Sequence, residues 1–324
     1  MELPGALKAA VERELERIPL ADLQRAATTL SQRYRAETRD GRLHLDAELA
    51  VKAYLAVRLP ATYAATRASF ASVADALPDF APTTLLDVGA GPGTALWAAA
   101  DCWPSLGSAH LLEASAVARG TGVRLSEQLA GIRTVWQAAD ICAGFGAIPR
   151  ADLATMAYVL DELDTTAVPP VISRLWSLAT TLIVIEPGTP AGWRRMLAVR
   201  KQLIDLGAEL VAPCPHPAPC PLEAPDWCHF ARRVARSRVH RLAKGGDAPF
   251  EDEKYIFVAV SRLAATHRPA RVLAPPRQAK GRIELKLCLP DGQTADTLVN
   301  KRDGDAYRVA RRLDWGDSFD PVSS

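Results

Sequence analysis

Apolar residues recur at helical spacing through the first part of the chain. Leu7, Val11 and Leu15 stand four residues apart, and a longer pattern of the same kind covers residues 47–77. Residues on one face of an α-helix recur every three or four positions. The sequence therefore predicts a helical N-terminal region over residues 1–80.

The pattern then changes, and short apolar runs alternate with segments of helical periodicity. Runs of this length and composition are typical of strands that are buried on both faces. Alternation of such strands with helices predicts a parallel sheet that is covered by helices on both sides. The five predicted strands lie at residues 85–88, 110–114, 133–140, 152–160 and 181–186.

Two more strands are predicted at residues 237–244 and 254–262, where they would pair as a hairpin. Five parallel strands followed by such a pair is similar to the strand order of class I S-adenosylmethionine-dependent methyltransferases. Residues 264–324 show strand-like alternation and then a short basic helix, which predicts a small β-rich C-terminal unit. We therefore expect an α/β protein whose Rossmann-like methyltransferase sheet occupies residues 81–263.

The composition is ordinary for a soluble globular protein, with 48% hydrophobic and 23% charged residues. No apolar run is long enough for a membrane helix, and the charged N-terminal segment lacks the apolar core of a signal peptide. These features predict a cytoplasmic protein without a membrane partner. We expect it to be a monomer.

The net charge of +2 is unevenly distributed along the chain. Residues 1–228 carry 20 basic and 25 acidic residues, a net charge of −5, whereas residues 229–324 carry 19 and 12, a net charge of +7. A basic C-terminal third is typical of a surface that faces a polyanion such as a nucleic acid. A solvated basic surface without a partner is the alternative.

A strand, a glycine-rich turn and a helix are predicted over residues 85–99, LLDVGAGPGTALWAA. Gly89, Gly91 and Gly93 allow a sharp turn and a close approach of the backbone to a ligand. The helix that begins near Thr94 points its amide donors at the same space. The dinucleotide fingerprint requires a further glycine or alanine where Thr94 stands, which disfavours NAD.

Acidic residues accompany the predicted strands at the edge where ligands bind in open α/β sheets. Glu113 follows Gly93 by 20 residues and is suited to accept both hydroxyls of a ribose. Asp140 closes the third strand, where methyltransferases often contact adenine. Asp87 is placed to order the glycine loop or to meet the amine of a methionine moiety. These residues predict an S-adenosylmethionine site; a fold that has lost its cofactor is the alternative.

The sequence does not assign catalytic residues. The fourth strand ends in YVLDEL, residues 158–163, and lacks the N/D-P-P-Y/F motif of amino-methyltransferases. Asp161 and Glu162 are candidate general bases, although polar residues at a strand end need no catalytic role. Tyr158 is a candidate for stacking on a flipped base, and packing in the core is the alternative.

The loop over residues 213–230 is rich in proline and contains three cysteines in a C-x5-C-x7-C spacing. Prolines exclude a helix interior or a central strand, and clustered cysteines in a reducing compartment indicate metal binding more often than a disulfide framework. A soft metal centre needs four ligands, and His216, His229 and Cys288 are candidates for the fourth. The spacing does not choose between zinc and an iron–sulfur cluster. The cysteines of the loop are Cys214, Cys220 and Cys228.

Several segments resemble the family of mitochondrial small-ribosomal-subunit methyltransferase-like assembly proteins and their bacterial relatives. The most specific segment is CPHPAPCPLEAPDWCHFARR, residues 214–233. The other similar segments lie at residues 58–65, 85–99, 158–163, 184–200, 252–262 and 301–317.

This resemblance implies a 4Fe-4S cluster, with supporting or structural roles for the histidines of the loop. It also implies binding to small-subunit ribosomal RNA during assembly, and it leaves catalytic turnover open. The cluster ligands that it implies are Cys214, Cys220, Cys228 and Cys288.

The basic segment over residues 231–244 is the first predicted RNA-binding surface, because arginine side chains contact phosphates. A basic helix near the C-terminus is the second, and a solvated edge is the alternative for both. The predicted contacts in the first surface are Arg232, Arg233 and Arg236. Those in the second are Lys301, Arg302, Arg308, Arg311 and Arg312.

The leading hypothesis is an S-adenosylmethionine-binding iron–sulfur protein that acts on the small ribosomal subunit as an rRNA methyltransferase. The first alternative is a non-catalytic small-subunit assembly factor with the same fold. The second is a small-molecule methyltransferase with structural zinc, which would show no salt-dependent affinity for RNA.

Overall fold

Helices form the N-terminal region, as predicted. Pro60 lies at the second position of the fourth helix, where its missing N–H breaks no helical hydrogen bond. The predicted pattern over residues 47–77 is therefore divided into two helices. The four helices are α1 Gly5–Leu15, α2 Leu20–Ala36, α3 Glu48–Val57 and α4 Leu59–Ala76. The structure is a computed structural model that describes residues 1–37, 43–141, 144, 146–265 and 267–320.

Eight strands form one sheet in the described part of the chain. They are β1 Thr84–Val88, β2 Ser108–Leu112, β3 Arg133–Gln137, β4 Ala151–Ala157, β5 Ala179–Pro187, β6 Glu209–Ala212, β7 Phe230–Ala235 and β8 Phe250–Ser261. Their order is β3-β2-β1-β4-β5-β8-β6, with β7 paired to β8. Neighbours among β1 to β5 are parallel, whereas β8 is antiparallel to β5 and β6. The predicted fold class is confirmed.

The two faces of the sheet pack against different helices, because alternate residues of a strand point to opposite faces. Leu85 packs in one apolar cluster with residues of α1 to α4 and of the helix that follows β1. Leu86 belongs to a second cluster with two helices on the other face. The division of the chain at residues 80 and 263 stays a prediction. The helices that cover the sheet are α5 Thr94–Cys102, α6 Ala116–Ser126, α7 Val168–Leu178 and α8 Pro190–Asp205.

The prediction of a strand at residues 237–244 is wrong. The segment forms helix α9, Arg238–Lys244, and the strand that pairs with β8 is β7. The Ser237 hydroxyl accepts the backbone N–H of His240 at 3.1 Å, which satisfies one donor of the first helical turn. Gly245, with φ of +62°, ends the helix. The apolar residues of so short a segment fit both a helix and a strand.

The C-terminal region is β-rich, as predicted, and has a small apolar core of its own. In the strand that ends at Cys288, Ile283, Leu285 and Leu287 are buried and alternate with polar residues. Cys288 is also buried and lies at the end of the strand nearest the cysteine loop. The elements are β9 Ala270–Val272, β10 Arg277–Ala279, β11 Arg282–Cys288, β12 Thr294–Asn300, a 3-10 helix Lys301–Asp303, α10 Asp305–Ala310 and β13 Ser318–Phe319. None of the helices described here has the length and apolar content needed to cross a bilayer.

Candidate cofactor cleft and cysteine centre

The glycine loop leaves β1 with three positive φ angles, +70° at Gly89, +54° at Gly91 and +86° at Gly93. Side chains rarely adopt these values, which explains the glycines. A Cβ atom on Gly89 would lie 2.4 Å from a methyl group of Val159, and one on Gly93 would lie 3.2 Å from the Trp136 ring. A Cβ atom on Gly91 would meet only one leucine side chain, at 3.8 Å. Gly91 is thus the glycine that faces open space.

That space is a cleft of about 710 Å³ at the carboxyl ends of β1, β2 and β4. Gly93 does not line it, and a Cβ atom on this residue would face the Trp136 ring. The structure therefore brings together five of the six residues predicted to bind the cofactor. They are Asp87, Gly89, Gly91, Glu113 and Asp140.

Glu113 closes the glycine loop onto the end of β2. Its carboxylate accepts the backbone N–H of Gly91 at 2.8 Å and that of Ser115 at 2.7 Å. Burial nevertheless raises the pKa of this carboxyl above its usual value. Each carboxylate oxygen has two lone pairs, so both oxygens can accept a further donor from a ligand in the cleft.

Asp87 is 1% exposed and lies at the bottom of the cleft. Its Oδ1 accepts the hydroxyl of Thr155 at 2.7 Å, whereas its Oδ2 has no hydrogen-bond partner among the described residues. Burial, the larger cause, and the nearby Glu113 carboxylate raise the pKa of Asp87 to about 7. A buried carboxylate oxygen without a donor is costly, so the site suits a ligand that brings a donor or a positive charge.

Sequence reasoning missed the wall of the cleft that comes from the N-terminal helices and from the segment between α2 and α3. Tyr34 stacks on His44 with ring centroids 4.8 Å apart, and the Tyr54 hydroxyl lies 3.0 Å from the hydroxyl of Thr94. Glu162, a predicted general base, also lines this wall, and burial raises its pKa to about 8. Aromatic residues at helical spacing are typical of a core, so the sequence carried no signal for this role.

Tyr158 lies at the end of β4 with φ of +59°, an unusual conformation for an aromatic residue. Its hydroxyl donates to Glu253 of β8 at 3.0 Å, and Arg58 donates to the same carboxylate at 3.0 and 3.2 Å. Burial, followed by the Glu253 charge, raises the pKa of Tyr158 well above its usual value. This network joins the cleft to the β7–β8 pair and to the junction of α3 and α4.

The four predicted ligand cysteines line one cavity whose walls are mainly apolar. Three come from the loop between β6 and β7, and the fourth ends β11. As they stand, no three His, Cys, Asp or Glu side chains in the described part of the chain are arranged to hold a single metal ion. The four residues at the cavity are Cys214, Cys220, Cys228 and Cys288.

The buried thiols oppose one another's ionisation. Burial, then the neighbouring thiols, raises the pKa of Cys228 far above its usual value and that of Cys288 to about 12. Burial also raises the pKa of Cys220, although a backbone N–H from Leu222 acts in the opposite direction. A cation in the cavity would therefore favour the ionisation of Cys220, Cys228 and Cys288, because it stabilises their thiolates.

The two loop histidines have different surroundings. His216 is 2% exposed, and its Nε2 lies 3.3 Å from the Sγ of Cys288. His229 stacks on Trp227 with ring centroids 4.9 Å apart and meets Trp315 edge-on. His229 does not line the cysteine cavity, whereas His216 does.

The three arginines of the first predicted RNA surface do not form one exposed patch. Arg232 and Arg236 share the inward face of the β7 segment with buried Val234, and Arg233 points outward. Arg233 pairs with Asp252 at 3.0 Å, Arg236 with Glu251 at 2.8 Å, and Arg232 with Asp317 at 3.6 Å. Nearby carboxylates thus balance their charges. The five basic residues of the second predicted surface are all exposed.

The strand order, the glycine loop and the acidic cleft at the carboxyl ends of the strands define a class I methyltransferase fold. The family described as mitochondrial small ribosomal subunit Rsm22 matches residues 48–320, so the chain belongs to this family. The predicted family resemblance is confirmed.

The chain is similar to the human mitochondrial ribosome assembly protein METTL17, with 28% identity over 284 residues. The match covers 82% of the chain and 61% of METTL17. The Rsm22-cox11 tandem protein 2 of Schizosaccharomyces pombe, also mitochondrial, is 26% identical over 195 residues, 46% of the chain and 26% of that protein. The magnesium protoporphyrin IX methyltransferase of Synechocystis PCC 6803 with bound S-adenosylmethionine is 17% identical, with a TM-score of 0.42, over 72% of the chain and 90% of the enzyme.

These comparisons overturn the predicted cytoplasmic location. The relatives found by sequence are mitochondrial proteins, so a mitochondrial location is indicated instead. The prediction was based on the composition of the N-terminal segment, which does not test for delivery to an organelle.

We predict that Arg58→Gln destabilises the protein by about 3 kcal/mol, because it leaves the Glu253 carboxylate buried without its main cationic partner. Urea unfolding measures the change. Arg67→Gln is the matched control, since Arg67 pairs with the more exposed Asp101 and should contribute less than about 1 kcal/mol. An equal loss in the two variants would contradict the structural role given to Glu253.

Proposed function

We propose that the protein binds S-adenosylmethionine and a 4Fe-4S cluster, and that it acts on the small ribosomal subunit, with rRNA methylation as its activity. The observation that carries the proposal is that the family match over residues 48–320 contains both the glycine loop with its acidic residues and the four-cysteine cavity. METTL17 is named for ribosome assembly, and the proposal extends that role to this chain.

The chemistry of the cleft suits S-adenosylmethionine, which carries a sulfonium and an ammonium group against one carboxylate. The free Oδ2 of Asp87 would accept the ammonium group, and Glu113 would accept the ribose hydroxyls. Asp140 lines the same cleft and would contact the adenine. Gly91 leaves room for the methionine part, because its neighbourhood is open.

One observation favours a non-catalytic assembly factor as the second candidate function. Tyr158 follows β4, where methyltransferases place acceptor-binding residues, but its hydroxyl is already held by Glu253. Glu162 remains a candidate general base in the cleft, where burial raises its pKa to about 8.

The four cysteines of the cavity supply the thiolates that either a 4Fe-4S cluster or a zinc ion requires. The family resemblance favours the cluster. The buried Nε of Arg200, on the cavity wall, has no hydrogen-bond partner among the described residues. The inorganic sulfides of a cluster are acceptors that such donors commonly meet. The cluster would join the cysteine loop to β11.

The second basic surface is the better candidate for contact with ribosomal RNA, because its side chains are exposed on the C-terminal unit. Arg233 is the member of the first surface that points outward, with a side chain 70% exposed. Phosphate contacts of this kind make binding salt-dependent.

Transfer of a labelled methyl group from S-adenosylmethionine to the rRNA of immature small subunits tests the proposed activity. We expect label in the rRNA with the native chain and none with Gly91→Leu, because a leucine there would occupy the path of the methionine part. Calorimetric cofactor binding is measured on the same samples. Cofactor binding by the native chain without any transfer would establish the non-catalytic alternative.

We predict that Cys220→Ser lowers the metal content and loosens the link between the cysteine loop and the C-terminal unit. Metal analysis and limited proteolysis measure the two effects, with Cys102→Ser on α5 as the control because that residue lies away from the cavity. Unchanged metal content and unchanged proteolysis would remove Cys220 from the set of ligands.

We predict that cofactor affinity rises with pH through the pKa of about 7 of Asp87. Below that pH the carboxyl is protonated and must lose its proton to meet a cationic amine, so affinity should fall by up to about tenfold per pH unit. Asp87→Asn should bind about tenfold to a hundredfold more weakly at pH 7.5 and lose this pH dependence. Exposed Asp79→Asn is the control. A native chain whose affinity is flat from about pH 6 to 7.5 would contradict the role of Asp87.

A further inference from the structure

Two buried arginines flank the four-cysteine cavity from different elements. Arg200, on α8, is 5% exposed, and Arg271, on β9, is 7% exposed. Both line the cavity. A guanidinium group is rarely buried without a compensating charge, because it keeps its proton in proteins.

The hydrogen-bond partners of both guanidinium groups are uncharged. Arg200 donates from Nη2 to the carbonyl oxygens of His216 and Ala218, each at 2.7 Å. Arg271 donates from Nε to the carbonyl oxygen of Pro213 at 3.0 Å and from Nη1 to that of Gly316 at 2.9 Å. These contacts hold the cysteine loop in shape but neutralise no charge.

Neither arginine has a carboxylate oxygen of the described residues within 4.0 Å of its nitrogens, the limit for an ion pair. Asp317, a carboxylate whose charge acts on Arg271, pairs instead with Arg232 at 3.6 Å. Two buried positive charges without an ion-paired acid carry a large desolvation cost. A negative charge inside the cavity would offset this desolvation cost.

The thiols are the groups placed to provide it. Arg200 and Arg271 line the same cavity as the four cysteines, and no carboxylate of the described residues lines it. Thiolates of these cysteines would therefore be the anions next to the two guanidinium groups.

We propose that Arg200 and Arg271 are the charge-compensating positioning residues of the cysteine centre. Four thiolates around a core of charge +2, whether a 4Fe-4S core or a zinc ion, carry a net charge of −2. Two fixed guanidinium groups match that charge inside the protein. The inference depends on the proposed metal centre and adds the residues that retain it and set its redox balance.

The test compares Arg200→Gln, Arg200→Lys, Arg271→Gln and Arg271→Lys after anaerobic reconstitution with iron and sulfide. Controls are Arg194→Gln, exposed on the same helix, and Arg268→Gln, which pairs with Glu209 near the surface. Each glutamine variant should release metal to a chelator at least about tenfold faster than the native chain. The midpoint potential of its metal centre should fall by about 59 mV, which is about a tenfold shift of the one-electron equilibrium toward the oxidised form.

Lysine variants should stay within about threefold of the native release rate, because they keep the positive charge. If a glutamine variant does not fold, the lysine variant at the same position still tests the role of the positive charge. A lysine variant that releases metal as fast as its glutamine counterpart, or glutamine variants that match the controls, would overturn the role of the two charges while leaving the metal centre intact. A native chain that takes up neither iron nor zinc would instead remove the centre itself, and the inference with it.

Discussion

Four thiols that share one buried cavity form the constraint on which the C-terminal half of the structure depends. Burial and mutual repulsion keep Cys228 and Cys288 protonated until a cation arrives. The loop between β6 and β7 has no regular structure, yet it is held by carbonyl contacts to Arg200 and Arg271. A metal centre would convert this preformed arrangement into a link between the sheet and the C-terminal unit.

Strand β8 connects that constraint to the cofactor cleft. Glu253, near one end of the strand, fixes Tyr158 and Arg58, and Ile256 and Phe257 line the cysteine cavity a few residues further on. The same strand pairs with β5, β6 and β7. Strand β8 thus lines the cysteine cavity and, through Glu253, holds Tyr158 of the cofactor cleft, which gives the two sites a shared structural support.

Local patterns in the sequence were sufficient to predict the parallel sheet, the glycine loop and the convergence of its acidic residues, because strand ends meet at one edge. They failed at residues 237–244, which form a helix that begins after the capping Ser237 and ends at Gly245. They also missed the wall formed by Tyr34 and His44 and the ion pairs of Arg233 and Arg236, since these contacts join residues far apart in the chain or across a strand pair. The buried state of Arg200 and Arg271 depends on tertiary packing and has no local signature.

The most direct test is the visible absorption spectrum of the native chain purified without oxygen, with iron, sulfide and zinc quantified on the same sample. A cluster held by Cys214, Cys220, Cys228 and Cys288 predicts broad visible absorption with about four irons and about four sulfides per chain. One zinc and no iron would contradict the cluster and make the loop a structural zinc site. A colourless protein with neither metal would contradict a metal centre at these four cysteines.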